Sequence, residues 1–94
     1  MAKLGDIIRK EFEIYAVDNH QKPDIRYLTS DLVLKYVRKI ASKDDMFSII
    51  DEEIVKKIYQ EVLVDVENIN AHQNYSAAVL HYRKFLSLKI SVKK

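Results

Sequence analysis

Residues 74–90 read NYSAAVLHYRKFLSLKI. Their apolar side chains recur every three or four positions, the spacing that puts them on one face of an α-helix. Polar and basic side chains fill most of the positions between. The stretch therefore predicts a long helix that begins near Asn74 and buries one face. That face consists of Tyr75, Ala78, Val79, Tyr82, Phe85 and Leu86.

The preceding chain contains two more helices of the same kind. Leu4, Ile7, Ile8, Phe12 and Tyr15 have helical spacing and predict a helix over residues 3–17. The turn-forming sequence DNHQKPDI, residues 18–25, ends it. A second helix is predicted after a cap at Thr29 or Ser30, because either hydroxyl can accept a hydrogen bond from a free N–H of the first turn. Its apolar stripe is Leu32, Val33, Tyr36, Val37 and Ile40.

Acidic residues mark the next two starts. Asp44 or Asp45 is predicted to cap a short helical turn with Met46, Phe47 and Ile50 directed inward. Asp51 is predicted to cap a third long helix, whose apolar side consists of Ile54, Ile58, Val62 and Val66. The end of that helix, VLVDVENI at residues 62–69, is rich in β-branched residues, so an extended conformation is the alternative there.

One glycine and one proline in 94 residues indicate long elements joined by short loops, and no β-sandwich or barrel. The sequence predicts a single all-α domain over residues 1–94: a compact bundle of four main helices and a short helical turn. At the C-terminus, Leu86, Leu88, Ile90 and Val92 alternate with polar residues, which is the period of a strand. Either the last helix continues here, or an extended tail that includes Leu88, Ile90 and Val92 pairs with a partner molecule.

Charge is divided unevenly along the chain, although its net value is only +2. Residues 44–67 contain eight acidic residues and two lysines, whereas residues 68–94 contain no acidic residue. Such a step favours a surface that meets a partner. Lys35, Arg38 and Lys39 on the second helix, with Arg83, Lys84 and Lys89 on the last, are the candidate contacts to nucleic acid if the two basic faces adjoin. The alternative is that these cations lie on ordinary solvent-exposed helix faces and contact no partner.

Catalytic signals are weak. The chain has no cysteine, and its single glycine excludes a glycine-rich phosphate loop. His20 and His72 lack carboxylates at metal-ligand spacing, and His81 is predicted to face solvent beside Arg83 and Lys84, which do not suit a metal cation. We therefore expect no catalytic residue, no cofactor, no metal and no small-molecule substrate. No window of the sequence is apolar over the length of a membrane span, and the composition favours a cytoplasmic protein.

Two segments resemble a known domain. NYSAAVLHYRKFL at residues 74–86 and LTSDLVLKYV at residues 28–37 are similar to helices of the helical core-binding (SAM-like) domain of tyrosine recombinases. In the first segment a small residue and a branched apolar residue precede Tyr82-x-x-Phe85-Leu86, as in that domain. The resemblance implies a compact four-helix module that grips DNA, and it assigns no activity.

The function expected from the sequence is therefore binding. The leading hypothesis is a small non-enzymatic protein–protein interaction or regulatory module whose partner is another protein or a second copy of the chain. The alternative is a DNA-binding accessory domain that uses the basic faces of the second and last helices.

Overall fold

The computed structural model describes residues 4–18 and 24–92, and side chains within 5–18 and 25–88. All regular structure in these ranges is helical, which confirms the predicted all-α fold and its four main helices. A short 3-10 turn, Met46–Ser48, lies between the third and fourth α-helices. The α-helices are α1 (Leu4–Asp18), α2 (Asp24–Leu28), α3 (Asp31–Ala41), α4 (Glu52–Leu63), α5 (Val66–Asn70) and α6 (Asn74–Val92).

Side-chain caps fix where four of these elements begin. The Ser30 hydroxyl accepts from the Val33 N–H at the start of α3, as predicted. Asp45 caps the 3-10 turn and Asp51 caps α4, each accepting from the N–H two residues later. Asp65 does the same for α5, a helix that the sequence did not predict. Each cap satisfies an N–H that has no acceptor within its own helix.

Phe12 lies at the centre of the core. It is fully buried, and its ring centroid is 5.4–5.8 Å from those of Phe47, Tyr82 and Phe85. Around it, α4 packs against both α3 and α6, α2 packs against α6, and α1 packs against the 3-10 turn and α6. The predicted inward face of α6 is confirmed, because five of its members are buried and Tyr75 is partly buried against them.

The prediction that Ile50 points inward is wrong. Ile49 is buried in its place, and Ile50 is half exposed. The chain at Ile49 is extended, with φ −95° and ψ 118°, so successive side chains point to opposite sides. The Tyr82 hydroxyl donates to the Ile49 carbonyl at 2.7 Å and fixes this register.

The five-residue helix α2 lies in a region that the sequence predicted to be irregular. Its Leu28 is fully buried, and Tyr27 makes an edge-to-face contact with Tyr75 of α6 at 5.2 Å. The Thr29 hydroxyl donates to the Ile25 carbonyl at 2.9 Å and satisfies the end of the helix. A single turn is too short to show a period, which is why the pattern missed it.

Placing Val66 on the buried side of α4 was also wrong. The helix ends at Leu63, and Val66 begins α5 with 69% of its surface exposed. The alternative of an extended 62–69 segment is wrong as well, since these residues form the end of one helix and the start of another.

At the C-terminus the helix continues. Helix α6 extends through Val92, so the extended alternative for residues 86–92 is wrong and the helical one is confirmed. Leu86 is buried and Leu88 is 56% exposed, as expected for two positions on different faces of one helix.

Candidate interaction surfaces

The three cations predicted on α3 all face acidic residues of the same chain. Lys35 Nζ lies 3.4 Å from Asp65 Oδ2, and Arg38 Nε lies 3.2 Å from Asp44 Oδ1. Lys39 Nζ lies 3.7 Å from Glu61 Oε1. Ion pairs whose cation is exposed to solvent add little to the stability of the fold. They do place negative charge beside each cation, which weakens the attraction of this face for phosphate groups.

Arg83 and Lys84 of α6 lie in different surroundings. No described acidic side chain forms an ion pair with either of them. The buried Nε of Arg83 has no hydrogen-bond acceptor among the described residues. Lys89 belongs to α6, but its side chain lies outside those described. Helix α4, which carries Glu61, packs against both predicted basic helices, α3 and α6.

Of the predicted partner residues at the C-terminus, only Leu88 can be placed in full. Its side chain is 56% exposed on α6. Ile90 and Val92 are part of the same helix, and their side chains lie outside those described.

Asp65, which no pattern singled out, anchors the start of α5. Its Oδ2 accepts from the Tyr36 hydroxyl at 2.5 Å and from Lys35 Nζ at 3.4 Å, while Oδ1 accepts from the Glu67 N–H at 2.9 Å. The Tyr36 hydrogen bond lowers the pKa of the Asp65 carboxyl, against the opposing effect of desolvation. The same bond raises the pKa of Tyr36 to about 12.

Asn68 anchors the middle of α5. Its side chain is fully buried, and it donates to the Ser76 hydroxyl at 3.1 Å and accepts from the Ser76 N–H at 3.0 Å. The backbone between them turns through His72 and Gln73, both with positive φ, at 56° and 63°. Left-handed backbone costs on the order of 1 kcal/mol per non-glycine residue. The Asn68–Ser76 hydrogen bonds hold this strained turn in place.

Asp65 and Asn68 make their hydrogen bonds on the inner side of this segment. The apolar side chains of α5 and of the two residues before it are exposed. Val64 and Val66 are each 69% exposed on either side of Asp65, and Ile69 is 53% exposed next to Asn68. We call Val64, Val66 and Ile69 the α5 patch. This inverts the usual arrangement, because valine and isoleucine are among the residues most often buried and asparagine is mostly exposed.

The charge beside the α5 patch is acidic. Glu67 lies within α5 between Val66 and Ile69 in sequence and is exposed, with no ion pair to a described residue. Neighbouring apolar and acidic groups of this kind suit a partner with an apolar centre and a cationic edge.

A second apolar face lies on α1. Ile7, Ile14 and Val17 are 46–65% exposed. Ile14 and Val17 line a shallow groove of about 510 Å³ with Lys10, Glu13 and Asp18. This groove reaches the end of α1, next to residues 19–23, which lie outside the described ranges.

Two other kinds of site are not present among the described residues. No group of three or more His, Asp or Glu side chains within them is placed to hold a metal ion. Within the same residues, no helix combines the length and the apolar character that crossing a membrane requires.

Comparison with known proteins adds no assignment. No family model, curated protein or solved structure matches the chain.

Sequence reasoning missed the α5 patch, although a signal for it was present. The β-branched run at residues 62–69 departs from the helical period and was the least regular part of the pattern. What hid the patch is the polar anchoring of Asp65 and Asn68, because a polar residue at a buried position cannot be recognised without its partners.

Proposed function

We propose that this chain is a small, non-enzymatic protein–protein interaction module of the cytoplasm, and that the α5 patch is its docking surface. The observation that carries the proposal is the reversed pattern of burial in and just before α5. Asn68 is fully buried, while Val64, Val66 and Ile69 are exposed. Exposed apolar groups that lie together on a fixed element mark contact sites more often than isolated ones do.

Rigidity supports the proposal. The α5 patch does not lie on a free loop, because Asp65 accepts a hydrogen bond from Tyr36 of α3 and Asn68 donates one to Ser76 of α6, which fastens α5 to both helices. A surface that is held in place before binding loses less conformational entropy when a partner docks.

Site-specific photo-cross-linking tests the proposal. A benzophenone amino acid replaces Val66 in the full chain, and a matched variant carries it at Lys43, which is exposed and outside the α5 patch. After irradiation in cells we expect discrete cross-linked products from position 66 that position 43 does not give. The proposal is wrong if position 66 gives no product, or if both positions give the same products.

A second candidate function, DNA binding, is favoured by one observation. Arg83 and Lys84 have no acidic partner among the described residues, unlike the cations of α3. The resemblance of residues 28–37 and 74–86 to the core-binding domain of tyrosine recombinases points in the same direction. In this alternative, α6 rather than α3 would contact the phosphates.

Salt dependence separates the two functions. If Arg83 and Lys84 contact phosphates, binding to a DNA duplex weakens steeply as salt is raised, and Arg83→Glu with Lys84→Glu abolishes it. A matched double variant, Lys56→Glu with Lys57→Glu on α4, should bind like the wild type. Absence of duplex binding at low salt excludes this alternative.

A further inference from the structure

Two surfaces of this chain complement each other in charge and in apolar character. One is the α5 patch with Glu67 beside it. The other is the outer face of α6, where Lys84 and Leu88 lie one helical turn apart and Leu88 is 56% exposed. Exposed apolar surface lies on both, and the charge beside it, Glu67 on one and Lys84 on the other, is neutralised by no described ion pair.

We propose that the α5 patch of one molecule binds the Lys84–Leu88 face of a second copy, in a two-fold symmetric dimer. The inference rests on the proposed function and names its partner. Glu67 of each molecule then lies against Lys84 of the other, and Leu88 covers the α5 patch. The two-fold symmetry makes this contact occur twice, once in each direction. The dimer is therefore a closed assembly that adds no further copies.

Helix geometry explains why the two surfaces cannot meet within one molecule. Helix α6 begins at Asn74, close to α5 in the chain, and Leu88 lies 14 residues further along. At a rise of 1.5 Å per residue, this separates them by about 20 Å. When two copies of α6 run antiparallel, the C-terminal half of each helix lies beside the partner's α5.

The charge distribution of the sequence agrees with such a dimer. Residues 68–94 contain no acidic residue, so the α6 face is basic without interruption. The segment that carries the α5 patch belongs to the acidic residues 44–67 and the short stretch after it. In the dimer each acidic region faces a basic one, and complementarity of this kind sets register and specificity.

The area required is compatible with the size of the molecule. A specific interface of standard size buries about 800 Å² per partner. That is roughly an eighth of the 6086 Å² surface of this chain.

Charge exchange tests the dimer. Sedimentation equilibrium is measured for Glu67→Lys, for Lys84→Glu and for their equimolar mixture. In a dimer of either variant, like charges face each other in both contacts. We therefore expect the dimer dissociation constant to rise about tenfold. In the mixture, the lysine introduced at position 67 of one variant faces the glutamate introduced at position 84 of the other, and the native Glu67 faces the native Lys84. Both contacts regain opposite charges, so the mixture should recover a mass of twice 11.1 kDa at concentrations where each variant alone is mainly monomeric.

Matched variants control for general charge effects. Glu53→Lys and Lys56→Glu change exposed charges of α4 that belong to neither surface, and should leave the dimer constant unchanged. Val66→Ser should weaken the dimer without changing net charge. Circular dichroism verifies that each variant is folded.

Two results would overturn the dimer. One is a wild-type mass of 11.1 kDa at every concentration, and the other is a mixture that behaves as the sum of its two variants. Cross-linking at position 66 then shows whether the proposed function fails as well. Products with a different protein leave the proposed function standing and exclude only the second copy as partner, whereas no product at all removes both proposals.

Discussion

The carboxylate of Asp65 joins α3 to the start of α5. It accepts hydrogen bonds from Tyr36 of α3, from the neighbouring Lys35 and from the first turn of α5. Its side chain is only 13% exposed, so these donors largely replace water around the charge. Hydrogen bonds to a charged group are roughly twice as strong as those between neutral groups.

The Tyr36–Asp65 bond predicts a stability plateau with two edges. The pKa of Asp65 is lowered from 3.8, so its contribution is present above that value and is lost as the pH falls through the pKa of the folded state. The pKa of Tyr36 is raised from 10.0 to about 12, so its contribution is present below 10.0 and is lost as the pH rises towards 12.

Urea unfolding of the wild type and of Tyr36→Phe over a range of pH measures this plateau. We expect the variant to be less stable by about 2 kcal/mol near neutral pH, because Asp65 loses a donor. The difference should shrink at both extremes of pH. Tyr59→Phe is the control, because no described hydrogen bond involves its hydroxyl. A difference that is independent of pH would show that the bond does not form.

At the scale of elements, α5 is held by polar contacts rather than by apolar burial. Asn68 donates to one group and accepts from another on Ser76, and its own carbonyl accepts from the Gln73 N–H at 2.8 Å. The valine and isoleucine residues of this five-residue helix contribute little to the core.

This arrangement predicts an unusual order of mutational effects. Asn68→Ala should cost about 2 kcal/mol or more, because it leaves the buried N–H of Ser76 without its acceptor and removes the donor to the Ser76 hydroxyl. Val66→Ser should change the free energy of unfolding by less than about 0.5 kcal/mol, because the side chain is already exposed. Urea denaturation of both variants measures the two values. Equal losses would mean that Val66 is part of the core.

The elements also show what a sequence can predict. The four main helices were predictable, because each keeps its apolar period over several turns, and the caps at Ser30 and Asp51 mark the start of two of them. The five-residue helices α2 and α5 were not, since they are too short for a period. The inward positions failed where the local geometry changed, at Ile50 after an extended residue and at Val66 after the end of α4.

Prediction of the site was less successful than prediction of the fold. Lys35, Arg38 and Lys39 were predicted as a basic face, but their acidic partners come from the loop after α3, from α4 and from the start of α5. Such long-range pairing has no signature in the sequence. Leu88 was recognised as a candidate contact, although through a strand-like period that the helix does not follow.

At the scale of the whole molecule, the charged residues on the two sides of the step in charge fall into two groups. Some acidic residues are used within the chain, as helix caps and as partners of the α3 cations. Glu67 and the α6 cations Arg83 and Lys84 have no such described partner. Glu67 lies next to the exposed Val66 in α5, and Lys84 lies one helical turn from the exposed Leu88, which is the basis for the proposed contact between two copies.

Methyl NMR over a dilution series tests this account most directly, because it observes the α5 patch itself. On raising the concentration of the wild-type chain, we predict that the methyl resonances of Val66, Ile69 and Leu88 shift together with one dissociation constant. That constant should match the one from sedimentation, while the buried Val37 methyls stay unchanged. Methyl resonances of Val66 and Ile69 that do not move while the chain self-associates would contradict the account, as would a chain that stays at 11.1 kDa throughout.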